Sequence, residues 1–574
     1  MRKTRVSRDT WLFWILALLV LGAGLGLRDP WPADEPRFAL VAKQMVQSGH
    51  WLFPHRGIEL YADKPPLFMW IQALFYALLG NLRIAFLLPS LLAALGTLAL
   101  VRDLGRRLWS AEAGAYAAWA LLFALQFTFQ AKRAQIDPTE TFFITLSMYA
   151  LLRHLLCGAD ARLWALGWFA AGLGVISKGV GVIALFVLLP VAWAHWRQWP
   201  GLTRLQPGTA RFWLGPLALV LPILAWLLPM LLSVRASGDP ALHAYADNIL
   251  LRQTAGRYMH PSHHYQSAWY FPLVMLTQWL PTMLAVPWAI KPWRAALRAR
   301  DARVLLPLAW AALVVLFFSL SAGKREVYIL PALPMLCLAL GPWLPAIVER
   351  PWPRRLAFGF AATMAIALLV AGLLVVFGHP GFEQTLADMR GLANGDAMGA
   401  MLAATGAFGI AALFWFRVRG GVAALLTTLA GLWVGYSLIG YPLLNDASSA
   451  RGLMQRTGAR IGPDAQLGLV AWKEQNLLMA DRPAQTFGFL RAPSAQLRAA
   501  RVWQAQAPAT RWLQVERGAL DDCIDLGRAE NLGISNRREW WLLPAQATRV
   551  GCVPAQHPET LTDGQPVDDG SDAR

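Results

Sequence analysis

Charge is what this sequence has least of. Only 15% of its 574 residues are Asp, Glu, Lys or Arg, against about a quarter in an average soluble domain, and that deficit excludes a water-soluble globular chain. Acidic residues are the scarcer sign, 34 against 52 basic ones, for a formal net charge of +18. The basic residues sit in short clusters between apolar runs and form no single patch, which argues against a nucleic-acid partner. They read instead as topology signals and phospholipid headgroup contacts. A small-residue cleavage site is also missing after the basic, apolar start MRKTRVSRDTWLFWILALLVLGAGLGL, so the first apolar segment is expected to remain as an uncleaved helix.

What is there is hydrophobic: 56% of residues, with 28 Trp and a mean hydropathy of +0.40. The chain reads as an all-α polytopic membrane protein. Runs near 20 residues, the length that crosses about 30 Å of hydrocarbon, fall at 11–27, 82–101, 112–130, 138–156, 163–177, 179–196, 213–233, 269–290, 304–320, 326–347, 355–377, 399–416 and 421–440. The shorter run 67–80 is assigned to the interface. With about thirteen crossings and a cytoplasmic N-terminus, the clusters around Arg5, Arg106, Arg153, Arg204, Arg298, Arg354 and Arg417 all fall inside. Residues 1–444 form the membrane domain, with the outer loop 28–81 carrying interfacial helices. Residues 445–574 are polar enough for a soluble α/β domain on the outer face, with strands expected at Gln466–Trp472, Thr486–Leu490, Trp512–Val515 and Trp540–Leu543. An acidic tail from Asp563 to Arg574 reads as disordered. Cys523 and Cys552 share that domain, where an oxidising compartment permits a bridge, whereas Cys157 and Cys337 lie near the inner face and within a span.

Ionisable groups at a span edge are costly unless paired, hydrated or functional. Asp34 and Glu35 open the outer loop after the first span, and Asp137 stands at an equivalent edge in Gln135-Ile136-Asp137-Pro138. Helix capping is the alternative for each aspartate. A second polar knot, Tyr61-Ala62-Asp63-Lys64-Pro65-Pro66, returns a carboxylate and an ammonium to the membrane. The loop 241–271 adds Arg257, His263 and His264, and Ser321-Ala322-Gly323-Lys324-Arg325-Glu326-Val327-Tyr328 is basic where an outer loop should be neutral. Lys64, Arg257, Lys324, Arg325 and Tyr328 together would make an anion cradle; lipid headgroup contact is the alternative. His-Pro-x-His-His lacks the i, i+4 spacing of a helical zinc site. By residue type, Asp63, His263 and His264 remain candidate ligands of a divalent ion. Ser177-Lys178-Gly179 reads as a tight turn with a headgroup contact.

The order Asp-Glu, Asp-Lys-Pro, Ile-Asp-Pro, Ser177-Lys178-Gly179, the His-His-to-Trp-Tyr run and Gly323-Lys324 before Tyr328-Ile329-Leu330-Pro331 resembles the bacterial aminoarabinose transferases of the GT-C superfamily, which also holds the protein O-mannosyltransferases. The resemblance covers roughly the first 450 residues. It implies a glycosyltransferase of the inner membrane that moves a sugar from undecaprenyl phosphate to lipid A phosphate at the periplasmic face, weakening binding of cationic antimicrobial peptides. It makes Asp34 the main catalytic carboxylate and Asp137, with Glu35, its acidic company. Lys64, Arg257 and Tyr328 would hold the lipid phosphate, with Lys324, Arg325, Tyr61 and His264 around the substrate.

The chain departs from the family pattern at Asp63, where Glu often stands, and after His264, where Tyr265-Gln266 replaces the expected Arg-Pro. The first bears on the metal, which is not required for the reading, and the second on the donor sugar. Transfer to a protein or another envelope glycan, and a lipid-linked sugar transporter, are the competing functions. A transporter should carry charges within interrupted mid-membrane helices, whereas here they sit at span edges. The chain is expected to work as a monomer.

Overall fold

The computed structural model describes residues 8–251, 265–321, 323–378, 381, 395–549 and 551–552. It is mostly helical, and among the described residues six helices are long and apolar enough to cross a membrane: Leu82–Leu108, Ala210–Ser237, Ala302–Leu320, Pro351–Val376, Asp396–Phe416 and Val418–Ser448. The chain is a multi-pass membrane protein. Close packing of the late helices depends on glycine. A Cβ at Gly372 would strike the backbone of Ala403, and one at Gly406 the backbone of Leu369, so Pro351–Val376 and Asp396–Phe416 approach as small-residue interfaces allow.

Several apolar runs differ from straight spans. The run expected at 269–290 is two helices, Tyr270–Gln278 and Thr282–Arg298, meeting at 95°. Pro281 stands at the bend and removes a backbone donor there. The run expected at 326–347 divides into a 3₁₀ turn at Glu326–Ile329 and helices Ala332–Leu340 and Leu344–Val348. Pro331 opens the first of these helices, and Gly341 closes it.

Four early elements build the surface where the polar motifs lie. After α1 (Arg8–Gly22), α2 (Glu35–Ser48) buries Phe38, Val41, Ala42 and Met45 as its amphipathic spacing predicts. A short hairpin of β1 (His55–Arg56) and β2 (Glu59–Leu60) follows, then α3 (Leu67–Leu79), which is too short to span.

The C-terminal part holds a five-stranded mixed sheet of β3 (Gln466–Val470), β4 (Ala484–Thr486), β5 (Arg511–Glu516), β6 (Glu530–Ser535) and β7 (Arg538–Leu543), in the order β4-β3-β5-β7-β6. Strand β6 escaped the sequence reading because it lies at the sheet edge and is mostly polar. It pairs with β7 through a two-residue loop, Asn536-Arg537, with both φ angles positive. Cys523 and Cys552 are bridged, with their Cα atoms 5.6 Å apart. The Asp563–Arg574 tail lies outside the described residues. The sheet does not stand apart, since Leu467, Leu469, Trp472 and Leu478 share one apolar cluster with Ala39 and Leu40 of α2 and with Phe86, Leu87 and Ala134.

Candidate active site

The geometry starts from a buried strut. Arg28, fully enclosed, forks onto Glu35, with Nη2 2.7 Å from Oε1 and Nη1 bonded to Oε2. The backbone N–H groups of Trp31 and Ala134 donate to the same carboxylate at 2.8 and 2.9 Å. Four donors fill a carboxylate's acceptor sites, so Glu35 offers no free lone pair to a substrate. Its work is to pin the start of α2 against the turn at 131–135. Lys132, in that turn, donates to the carbonyls of Val20, Leu21 and Ala23 at 2.7, 3.3 and 3.1 Å, capping the orphan acceptors at the end of α1.

The strut fixes the backbone that carries the neighbouring Asp34. Asp34 stands at the N-cap of α2 but makes no side-chain cap bond; its Oδ2 accepts from Gln135 Nε2 at 3.3 Å. Arg325 Nη2 lies 3.6 Å from Oδ2 and Arg37 Nη1 3.6 Å from Oδ1. Burial pushes the Asp34 carboxyl upward, but the charges of Arg37, Arg325, Arg133 and Lys64 outweigh it and hold the group below its ordinary range. Lys64, which the sequence places in the second knot, is therefore within electrostatic reach of Asp34.

Asp137 sits in the first turn of the helix Ile136–Leu156, whose N-cap is Gln135, so it is not a cap either. Its Oδ1 accepts from Lys178 Nζ at 2.6 Å, and the same ammonium lies 3.4 Å from Glu140 Oε2 and 5.1 Å from the centre of the Tyr328 ring. Lys178, at the end of the helix Ala161–Lys178, is thus no headgroup contact but the ion-pair partner of the second carboxylate. Glu140 is buried, and its Oε1 has no protein partner among the described residues. Arg325, 3.6 Å from Asp34, is also within electrostatic reach of Asp137. Burial disfavours its charge, yet Asp34, Asp137, Glu326 and Tyr328 raise its pKa.

The other expected residues are scattered. Tyr61 is buried beside Arg56, whose guanidinium lies 5.6 Å from its ring centre, and its hydroxyl has no protein partner among the described residues. Burial and Asp63 push that phenol up. Lys324 is turned away into a bond from Nζ to the Gln266 carbonyl at 3.0 Å, beside a bridge between Tyr265 and Gly323. Asp63 lies 3.8 Å from Arg56 Nη1, a cation rather than a ligand companion. Among the described residues no three His, Cys, Asp or Glu side chains converge as a metal site, so the donors around Asp63 do not by themselves fit a divalent ion. Arg257, His263 and His264 lie outside the described residues.

Sequence reasoning missed Glu140, Gln135, Arg37, Arg56 and Glu474. Glu474, from the C-terminal part, takes Arg37 Nε at 3.1 Å and Arg56 Nη1 at 3.5 Å. Only the span-edge position of Glu140, three residues after Asp137, was a usable signal; a partner more than 400 residues away leaves none.

Residues 63–226 match the family model described as dolichyl-phosphate-mannose-protein mannosyltransferase. The chain is 31% identical over 376 residues to the undecaprenyl phosphate-alpha-4-amino-4-deoxy-L-arabinose arabinosyl transferase 1 of Pseudomonas fluorescens, covering 63% of this chain and 64% of that one. It is 29% identical over 379 residues to the corresponding transferase of Pectobacterium carotovorum, covering 63% and 65%. It thus spans just under two thirds of the length of these curated relatives. The crystal structure of ArnT from Cupriavidus metallidurans bound to undecaprenyl phosphate is similar at a TM-score of 0.68 and 20% identity, over 93% of this chain and 98% of that one. The apo form gives 0.70 at 20% identity, over 94% and 98%. In motif order, in sequence and in fold, the chain resembles the aminoarabinose transferases of the GT-C superfamily.

Proposed function

We infer that the protein is an inverting glycosyltransferase that moves a sugar, 4-amino-4-deoxy-L-arabinose, from undecaprenyl phosphate to a phosphate of lipid A. The observation that carries this reading is the Asp34 carboxylate held ionised among Arg37, Arg325, Arg133 and Lys64. Such a set suits a reaction that develops positive charge on a sugar ring and negative charge on a leaving phosphate. In the proposed step an acceptor phosphate oxygen attacks the anomeric carbon. The bond from that carbon to the donor's phosphate oxygen breaks, and its electron pair leaves on undecaprenyl phosphate. An ionised acceptor needs no base, so Asp34 faces the electron-poor ring. For a hydroxyl acceptor it would take the proton instead.

Lys64, Arg325 and Tyr328, with Arg257 by motif position, would hold the departing phosphate, and the buried Tyr61 hydroxyl adds a donor. Lys178 keeps Asp137 and Glu140 as an ion-paired wall, and Glu35 acts only by positioning. Asp63 with His263 or His264 is the candidate ligand set, and transfer that survives dialysis against a chelator excludes a required ion.

In this reading residues 1–444 form the transferase domain, crossing the bacterial inner membrane about thirteen times from a cytoplasmic N-terminus. Residues 445–574 stand in the periplasm, and the enzyme acts as a monomer. Labelling single cysteines at 204 and 485 from either side of the membrane tests that orientation.

The match of 63–226 to a protein mannosyltransferase model favours a protein acceptor as the second reading. Mass spectrometry of lipid A from cells with and without the gene decides between them. An increment of one amino-pentose that depends on the gene supports the first reading. An unchanged lipid A spectrum overturns it.

A further inference from the structure

A cavity of about 350 Å³ opens beside the loop 28–81 and holds none of the residues assigned to sugar transfer. Asp29, Gly80, Asn81, Arg83, Arg451 and Met479 contribute to its lining. At its base Asp29 is fully buried and takes two guanidiniums side-on. Arg83 donates from Nε and Nη2 at 2.8 and 2.9 Å, and Arg451 from the same pair of nitrogens at 2.6 Å each. Asn445 Nδ2 adds a bond at 2.8 Å. Two guanidiniums on one carboxylate leave a net positive charge, and each keeps its Nη1 without a protein partner among the described residues. Both arginines remain more than a third exposed, at 37% and 38%. Asp29 thus fixes a pair of forks whose outer edges are pre-organised for an anion.

The position says which kind. Arg83 lies in the first turn of the apolar run Leu82–Leu108, at the level where a span meets the headgroups. Leu74, Leu78 and Leu79, on the last turns of α3 just before Gly80, are exposed. Nothing stands within 4 Å of a Cβ built on Gly80, so the cavity opens directly beside this apolar strip. An anion site flanked by a leucine strip fits an amphiphile, with its phosphate on the arginines and its chains along α3.

We propose that the Arg83–Asp29–Arg451 cavity binds the phosphate headgroup of a membrane lipid, apart from the sugar-transfer site. The proposal does not depend on the reaction assigned above, because its readout is binding without turnover.

Asn81 permits the test without touching the arginines. It is exposed, and its side chain accepts from Arg83 N at 3.0 Å, a bond that aspartate also makes. Native mass spectrometry of the full chain in detergent would measure retention of phosphatidylglycerol, with dioleoylglycerol as the uncharged control. Asn81→Asp and Met479→Glu should each lower phosphatidylglycerol retention about tenfold, since like charge placed against a phosphate costs at least that much. Dioleoylglycerol retention should not change. A bis-phosphorylated acyl glycolipid in place of phosphatidylglycerol separates an acceptor-like lipid from bulk phospholipid, and loss of either in the variants upholds the site. Equal retention by both variants and the wild type overturns it. So does complete displacement of the lipid by inorganic phosphate at the same concentration, which would mark a plain anion site.

Discussion

The Asp34 carboxylate lies among four cations, and replacing it with the isosteric amide removes one charge while leaving the Gln135 contact possible. Asp34→Asn should lower the transfer rate about 10²- to 10⁴-fold with normal expression and thermal stability, measured with purified enzyme and donor. Its depressed pKa also fixes a sign. A carboxyl held below its ordinary 3.8 stays ionised throughout the neutral range, so Asp34 contributes no acid limb to the rate between pH 5 and 8. A phosphomonoester acceptor, by contrast, gains its second charge near pH 6. An acid limb near 6 that persists in both Asp34→Glu and Glu140→Gln would therefore belong to the acceptor.

Stability follows the same sign. Asp29, Asp34 and Glu35 all lie below their ordinary values of 3.8, 3.8 and 4.5, because arginines outweigh the cost of burial. Stability from a depressed carboxyl is complete above its unfolded value and lost as pH falls through the folded one. The share of the thermal-inactivation half-time that these three carboxyls contribute should accordingly be flat from pH 8 to 5 and shrink below about 4, read as the difference between wild type and Asp29→Asn. The aspartates themselves were legible in the sequence as charges at span edges. Glu35 was legible only as a neighbour of Asp34. Its four donors come from residues 28, 31 and 134, and no spacing rule connects those positions.

At the scale of elements, one contact decides whether the two carboxylates work together. Lys178, ending the helix Ala161–Lys178, holds Asp137, at the start of the helix Ile136–Leu156, at 2.6 Å. Removing one member of a poorly hydrated pair strands the other, at about 3–5 kcal/mol. Lys178→Met should thus lower the inactivation temperature by several degrees and depress transfer as well. Adding Asp137→Asn should restore part of the stability but not the activity, which a double-mutant cycle would read as coupling. Ser177-Lys178-Gly179 was visible as a motif, but its partner was not. Pairing across adjacent antiparallel helices depends on where each ends, and sequence places helix ends only within a few residues. The bend between Tyr270–Gln278 and Thr282–Arg298 was hidden for a related reason, since hydropathy sums over a window and does not register direction.

Across the whole molecule, the chain is built as a helical membrane part and a mixed sheet that share an apolar cluster from Ala39 to Leu478. Strands β3, β5 and β7 fall where the apolar alternation placed strands at Gln466–Trp472, Trp512–Val515 and Trp540–Leu543. The division into a hydrophobic and a polar part was readable from composition alone. The seam between the parts was not, because Leu467 and Ala39 look like ordinary core residues of their own segments. Cutting that seam has a measurable result. Leu469→Asp should dissociate the sheet from α2 and make the chain susceptible to limited proteolysis between residues 449 and 466, while the helical part stays folded in detergent. The Cys523–Cys552 bridge would keep the sheet's C-terminal end closed, so reduction should widen the set of cleavage sites beyond residue 520.

Glu474 carries the last consequence. One oxygen of a residue from the sheet region answers both Arg37, which touches the Asp34 carboxylate, and Arg56, which borders Tyr61. Any chimaera that grafts this tail onto a relative's membrane portion must therefore transplant the glutamate and its two guanidiniums as a set, or leave the recipient with an unbalanced positive charge beside its key carboxylate.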